Sequence, residues 1–159
     1  MHRVQQNMDD GEIRALIEET SRDELFDVVK EIHNAPYARL NGIETVSVSK
    51  EKVVTKMILT PDKLNSVGRA HGAAIFAIAD HTFAFAANLG ERQTALSVNI
   101  IYHRPGIGKE LTAISSKISE TNSVSVYDVK VYCDGKHIAT ASSIGFKVKD
   151  QMPRTCKKE

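Results

Sequence analysis

One acidic residue, Asp80, lies in the middle of an apolar stretch that runs from Gly72 to Gly90. At about 3.6 residues per turn, a helix here would place Asp80 on a face that is mostly alanine and has no cation. Burying an uncompensated carboxylate costs several kcal/mol, so Asp80 must meet water, a distant donor or a ligand. Two interpretations stay open: a functional carboxylate beside a ligand, or a carboxylate that caps a loop or lies at a subunit interface. The other residues on that face are Ala73, Phe76, Ala77, Phe83, Ala84 and Ala87.

The loop before this stretch carries a motif. It reads Asn65-Ser66-Val67-Gly68-Arg69-Ala70-His71-Gly72-Ala73, and Asp80 follows seven residues later. This resembles the N-x-x-G-x-x-H-G-G pattern of the PaaI-like hotdog thioesterases, which precedes a helix bearing an Asp or Glu. Ala73 stands where the family has its second glycine. Alanine keeps the backbone N–H and adds a methyl group where a thioester carbonyl would approach. The residues in register are Asn65, Gly68, His71, Gly72 and Asp80.

The resemblance extends over the segment from Asn41 to Val148 and leaves the first 34 residues without a counterpart. It includes the sequence LSVNIIYHRP, which ends at Pro105, and the final hairpin around Asp134-Gly135. The resemblance implies a hotdog fold of the α+β class, in which a curved antiparallel sheet wraps around one long apolar helix. It also implies hydrolysis of an acyl-CoA thioester to a free acid and CoA. CoA is then part of the substrate, and no cofactor or metal is expected.

For that reaction, Asp80 is the expected catalytic carboxylate. It either activates a water as general base or attacks the thioester directly, and the sequence does not separate these routes. The first amides of a helix lack intrahelical partners and lie at the positive end of its dipole, so Gly72 and Ala73 are expected oxyanion donors. Asn65 is expected to orient the attacking water or Asp80. His71 either helps to polarise the carbonyl or only hydrogen-bonds the loop.

Further residues are candidates for substrate binding. Phe76 and Phe83 would flank an apolar acyl chain, and Arg104 would meet the CoA phosphates, as would Lys109 and Lys147. Asn122 and Ser123 occupy a turn that would approach CoA, although turn chemistry explains them equally well. His81 points about 100° away from Asp80 around the helix, so a direct Asp–His pair is not expected.

The spacing of the motif suggests how the chain assembles. Asp80 lies seven residues beyond Ala73, roughly 10 Å along a helix axis. Both groups must reach one small reacting centre, which is easier if two chains meet antiparallel. The resemblance implies the same arrangement: sites shared across a homodimer, and commonly a dimer of dimers.

The remaining elements follow from local patterns. Two amphipathic N-terminal helices are predicted, with capping boxes at Asp9/Glu12 and Ser21/Glu24, docking on the domain's own sheet or on a partner subunit. Two strands precede the apolar helix and four follow it, the last pair joined at Asp134-Gly135. The expected organisation is a helical extension over 1–35, a hotdog thioesterase domain over 36–149 and a polar tail over 150–159.

Composition restricts the functional classes. The 159 residues carry a formal net charge of +1, which gives no reason to expect a nucleic-acid partner. The apolar stretch is barely long enough to cross a bilayer and has Asp80 at its centre, so no membrane span is expected. Cys133 and Cys156 have neither CxxC spacing nor a histidine cluster, which argues against zinc. With no secretory signal visible, two reduced thiols indicate a cytoplasmic protein.

Two other functions stay open. One is a hotdog enoyl-CoA hydratase or dehydratase that uses His71 as base. The other is an acyl-CoA-binding regulatory or interaction module without turnover, for which the N-terminal helices would be an interaction arm. Asp80 argues against both.

Overall fold

The computed structural model describes residues 8–148 of the chain, in which four helices accompany one six-stranded sheet. Short 3₁₀ turns at Glu19–Ser21 and Pro61–Lys63 complete the secondary structure. The helices are α1 (Asp10–Ala15), α2 (Arg22–His33), α3 (Pro36–Asn41) and α4 (Gly72–Ala87). The strands are β1 (Ile43–Val48), β2 (Val53–Ile58), β3 (Gln93–Tyr102), β4 (Glu110–Glu120), β5 (Val124–Cys133) and β6 (Lys136–Lys147).

Every strand of the sheet is antiparallel to its neighbours, in the order β1-β2-β4-β5-β6-β3. α4 lies against one face of this sheet and packs on strands β2 to β6. The predicted architecture, one apolar helix held by an antiparallel sheet, is therefore confirmed.

The β5–β6 hairpin shows how the local sequence sets this geometry. In β5, Tyr127, Val129, Val131 and Cys133 are buried, and the residues between them face the other side of the sheet. At the turn, Asp134 and Gly135 have φ values of 44° and 79°, which a tight two-residue hairpin requires. The hairpin and its turn agree with the predicted last pair of strands joined at Asp134-Gly135.

The main core lies between α4 and the sheet. Ile75, Ile78, Ala79 and Phe83 of α4 are at most 3% exposed and belong to one buried cluster. Their partners from the strands include Met57, Leu111, Val129, Val131 and Ala141. Burying a large aliphatic or aromatic side chain contributes about 1.5–3 kcal/mol, so this arc of the helix fixes how α4 is rotated against the sheet.

The N-terminal helices pack on the chain's own domain, which was one of two predicted possibilities. Ile13, Ile17, Leu25 and Val29 form a second buried cluster with Val48 and Val53 of the sheet and Phe85 of α4. The segment before the 3₁₀ turn also hydrogen-bonds the edge of β1. The N–H of Val48 donates to Leu16 O at 2.8 Å, and the N–H of Glu18 donates to Val48 O at 2.9 Å.

Of the two capping boxes predicted in the N-terminal helices, one forms and one does not. The Asp9/Glu12 capping box forms as predicted, with both side-chain-to-backbone bonds at 2.8 Å. The second predicted capping box is wrong, because the side chain of Ser21 makes no capping bond. A 3₁₀ turn runs directly into α2 at this point. Ser21 is buried. Its φ of −118° and ψ of 2° differ from the extended backbone that a capping residue needs.

The sequence analysis missed α3. That helix begins with Pro36 at its first position and ends at Gly42, whose φ is 64°, the usual asymmetry of proline and glycine at helix ends. The predicted boundary after residue 35 falls between α2 and α3. This domain division stays a prediction, and the polar tail over 150–159 lies outside the described residues, as does Cys156.

Within residues 8–148, no helix has both the length and the apolar character needed to span a bilayer. Cys133 is a buried free thiol, and burial raises its pKa.

Candidate active site

The loop before α4 is organised by Asn65. Its Oδ1 accepts hydrogen bonds from the N–H groups of Val67 at 3.1 Å and Arg69 at 3.0 Å. Gly68 supplies a left-handed residue between them, with φ 72°. The side-chain carbonyl oxygen of Asn65 is therefore occupied by the loop itself. Only the Nδ2 amide group of Asn65 remains for the predicted contact with a water or a carboxylate.

His71 caps the first turn of α4. Its Nδ1 accepts a hydrogen bond from the N–H of Ala73 at 3.0 Å, and its own N–H donates to Lys63 O at 2.8 Å. Because Nδ1 is an acceptor here, the neutral ring must carry its proton on Nε2. His71 is thus a helix cap with one N–H donor left for other contacts.

The cap makes the two predicted oxyanion donors, the N–H groups of Gly72 and Ala73, unequally available. The N–H of Ala73 is already bonded to His71, so it can meet an oxyanion only by giving up that bond. The N–H of Gly72, by contrast, donates to nothing in the described part of the chain. The sequence analysis expected both amides to be free. In the structure only the N–H of Gly72 is free, because the ring of His71 accepts the N–H of Ala73.

Tyr102, at the end of β3, also fixes this turn, and the sequence analysis did not single it out. Its hydroxyl donates to Gly72 O at 3.1 Å. A cleft of about 400 Å³ opens beside the two residues. Asn65 and Arg104 line it as well, so the structure brings three predicted site residues together with Tyr102.

Asp80 lies eight residues beyond Gly72 on the same helix, about 12 Å along its axis. Its side chain is half-buried, and it has no hydrogen bond or ion pair with any residue between 8 and 148. Loss of hydration in this position raises the pKa of Asp80, because burial disfavours the charged form. An unpaired, partly desolvated carboxylate that still reaches solvent is chemically available.

Fewer residues of α4 are exposed around Asp80 than the helical spacing predicted. Phe76 is 37% exposed, Ala73 is exposed and Ala84 is half-buried, so these three share the open face. Phe83 is only 1% exposed and packs in the core, with its ring centroid 5.7 Å from that of Tyr127. The expectation that Phe83 flanks a ligand beside Phe76 is therefore not supported by its position.

His81 faces the N-terminal helices instead of Asp80. Its ring lies 6.1 Å from that of Phe85, and burial together with the nearby His33 lowers the pKa of His81 to about 4. His33 is itself buried, its Nδ1 is 3.0 Å from Thr45 Oγ1, and burial lowers its pKa. As expected, no bond joins His81 to the neighbouring carboxylate.

Three of the other predicted contacts, Asn122, Ser123 and Lys147, lie at the far end of the sheet. Asn122 and Ser123 are in the β4–β5 turn, where Lys147 N–H donates to Ser123 O at 2.9 Å. Lys147 pairs with the first residue of β3, whereas the cleft adjoins the last. The Lys147 ammonium is bound by Glu91 and Glu120, both at 2.8 Å, so this cation is already paired.

Comparisons with known proteins identify the family of this chain. The family model described as "Thioesterase superfamily" matches residues 67–140. The acyl-coenzyme A thioesterase PaaI of Escherichia coli (strain K12) is 32% identical over 100 residues, which is 62% of this chain and 71% of that relative. The chain belongs to the thioesterase superfamily. A putative esterase of Archaeoglobus fulgidus is 30% identical to this thioesterase over 103 residues, 63% of this chain and 67% of the relative.

Solved structures confirm that this thioesterase has the PaaI-like hotdog fold. The PaaI protein of the phenylacetic acid degradation operon of Escherichia coli superposes with a TM-score of 0.74 at 25% identity, covering 79% of this chain and 94% of that one. A mutant of the phenylacetic acid degradation protein PaaI from Thermus thermophilus gives a TM-score of 0.68 at 28% identity, covering 71% and 99%.

Proposed function

We propose that this hotdog thioesterase hydrolyses acyl-CoA to a free acid and CoA, with Asp80 as its catalytic carboxylate. The single observation that carries the assignment is the state of Asp80: half-buried, unpaired within the described residues, and on the open face of α4. The substrate class follows the relative named acyl-coenzyme A thioesterase PaaI.

Desolvation prepares Asp80 for this reaction. A carboxylate that has lost part of its hydration is a stronger base. Its raised pKa is closer to the pKa of the water from which it must take a proton. As general base, Asp80 takes a proton from water while the water oxygen bonds to the thioester carbon. The C–S bond then breaks, and the CoA thiolate leaves and is protonated. As nucleophile, a carboxylate oxygen of Asp80 bonds to the thioester carbon, the C–S bond breaks and the CoA thiolate leaves, and water then cleaves the resulting anhydride; this route stays open.

The oxyanion is assigned to the first turn of α4. The N–H of Gly72 has no partner in the described chain and lies at the positive end of the helix dipole. His71 offers a second donor through Nε2–H, since its Nδ1 is held by Ala73. Removing one oxyanion donor typically costs a factor of about 10²–10³ in rate. Water is the only co-reactant that this reaction needs, so we expect no cofactor.

The distance between Gly72 and Asp80 supports a site shared by two subunits. About 12 Å of helix separates them, and a second α4 running antiparallel would place the partner's Asp80 beside Gly72. β3 is an edge strand with an unpaired side, and Leu96, Ile101 and Tyr102 are exposed along it. The opposite edge, β1, is partly covered by the segment before α2. We therefore propose a homodimer joined along β3, further paired as a dimer of dimers and acting in the cytoplasm.

Complementation tests this shared site. Gly72→Pro removes the amide hydrogen and adds a pyrrolidine ring. The helix should tolerate it, because proline is accepted at the first position of a helix and His71 has the extended backbone that precedes proline. Gly72→Ala is its matched control. In a mixture of Gly72→Pro and Asp80→Asn chains, half of the dimers are mixed and each has one intact site. About a quarter of wild-type activity should return, whereas a site within one chain would recover none.

The hydratase alternative loses support from the cap. A base at His71 needs a free ring nitrogen, but Nδ1 is bonded to Ala73 and Nε2 carries the proton. Parallel assays with acyl-CoA and enoyl-CoA test the proposed function. Release of free CoA thiol from saturated and aromatic acyl-CoA is expected. Loss of enoyl absorbance without thiol release would establish hydration, and stabilisation by CoA esters with no turnover would establish a binding module.

A further inference from the structure

Two buried threonine hydroxyls join α4 to the sheet. Thr82 on α4 and Thr55 on β2 are both fully buried, and their Oγ1 atoms lie 2.7 Å apart. The apolar side chains around them hold the helix by contacts that have no preferred direction. A hydrogen bond, by contrast, requires a particular distance and angle. This pair therefore limits how far α4 can slide or rotate against β2.

The donor and the acceptor of this hydrogen bond can be assigned. Thr82 Oγ1 also lies 2.6 Å from Ile78 O, and a carbonyl oxygen only accepts, so the single hydroxyl proton of Thr82 goes to Ile78. Thr82 Oγ1 then accepts its second bond from the hydroxyl of Thr55. The bonds thus run from β2 through Thr82 to the carbonyl of the preceding helical turn, and both hydroxyl protons are used.

These bonds hold the helical turn that carries Asp80. Ile78 and Thr82 lie two residues before it and two residues after it. At about 100° per residue, Thr82 lies roughly 160° around the helix from Asp80. Thr82 therefore faces the sheet, whereas Asp80 is half-buried on the open side. A rotation of α4 that stretched the bond to Thr55 would move the carboxylate by a comparable distance in the opposite direction.

We propose that Thr55 and Thr82 are positioning residues for the hydrolysis, and that their hydrogen bond fixes the rotation of α4 at which Asp80 meets the thioester. Both hydroxyls are sealed in the core, so they act through the helix and not on the substrate. Misplacing a reacting group by about 1 Å can cost a factor of about 10² in rate, so a small rotation is enough to impair turnover. The inference rests on the proposed function of Asp80.

Thr55→Val is the most selective perturbation of this bond. Valine has nearly the shape of threonine and suits a strand. Thr82 keeps its bond to Ile78 O, so only the link between helix and sheet is lost. We expect kcat for an acyl-CoA to fall about tenfold and KM to stay within about twofold of wild type, because the groups that bind the substrate are unchanged. Thr55→Ser keeps the hydroxyl and should restore at least about half of the wild-type kcat.

Ser115→Ala is the matched control. Ser115 is an equally buried hydroxyl on β4, but its Oγ accepts from the N–H of Val53 at 3.0 Å and so bonds within the sheet. Its loss should lower the midpoint of urea unfolding, as Thr55→Val does, yet leave kcat within about twofold of wild type. A wild-type kcat for Thr55→Val, or an equal loss of kcat in the two variants, would overturn the proposal.

Combining Thr55→Val with Asp80→Asn separates this proposal from the proposed function. If Thr55 acts through Asp80, the added substitution should change the residual kcat of Asp80→Asn by no more than about twofold. A further loss of about tenfold would overturn the positioning role and leave Asp80 assigned. Wild-type turnover by Asp80→Asn alone would instead refute the proposed function, and the threonine pair would then have no carboxylate to position.

Discussion

Acid should destabilise this protein through His81. The pKa of His81 is lowered from 6.5 to about 4 by burial and by His33. Between these two values the unfolded chain binds a proton that the folded chain does not, so the free energy of unfolding falls as pH falls. Complete protonation over about 2.5 pKa units corresponds to about 3.4 kcal/mol. At pH 5, the loss relative to pH 7 is about 2 kcal/mol.

Other groups act in the same range. The lowered pKa of His33 adds to the loss, while the raised pKa of Asp80 opposes it, because the folded state then binds the extra proton. Comparing wild type with His81→Leu isolates one contribution, since the variant keeps both neighbours and a side chain of similar size.

Urea unfolding followed by circular dichroism, at fixed protein concentration and at pH 7 and pH 5, measures the effect. Wild type should lose about 2 kcal/mol more than His81→Leu between the two values. Equal losses would show that His81 is protonated in the folded protein, and would refute the burial of this ring beneath the N-terminal helices.

Three further predictions concern the site. Because burial raises the pKa of Asp80, kcat/KM should fall on the acid side with an apparent pKa above 3.8, and a profile flat down to pH 4 would contradict this. Phe83→Ala should lower the free energy of unfolding by about 3–5 kcal/mol and Phe76→Ala by about 1 kcal/mol or less; equal losses in urea titrations would place both rings alike. Tyr102→Phe removes the bond to Gly72 O and should reduce kcat/KM about fivefold, and full activity in the steady-state assay would show that the bond is dispensable.

Much of the fold could be predicted because short stretches of neighbouring residues determine its strands and turns. The alternation in β5 and the Asp134-Gly135 turn each depend on a few adjacent residues. α3 was missed because six residues that begin at Pro36 carry too little periodicity, and its proline resembles the end of α2. Ser21 had the residue type of a cap, but the 3₁₀ turn before it removed the necessary backbone geometry.

The site was predictable only where its residues are close in sequence. The motif from Asn65 to Ala73 indicated the correct helix end, but not that the His71 ring would occupy the Ala73 amide. A helix that is apolar nearly all round gives no direction to its faces, so Phe83 could be assigned to the core only from packing. Tyr102 meets Gly72 because the end of β3 lies beside the first turn of α4, and no local spacing connects these two residues.

The N-terminal helices orient α4 by packing on one of its sides. Phe85 and His81 anchor one side of α4 beneath α1 and α2, while the open side presents Asp80. The extension therefore holds the helix that carries the proposed carboxylate.

The most direct test of the account is the rate of CoA thiol release by Asp80→Asn. The substitution removes the charge with little change in shape, so kcat/KM should fall by a factor of at least about 10². The fold should be at least as stable at neutral pH, since an unpaired, desolvated charge is lost. Asp128→Asn, which changes a half-buried carboxylate on the opposite face of the sheet, should retain full activity. Turnover by Asp80→Asn close to that of wild type would contradict the assignment of Asp80.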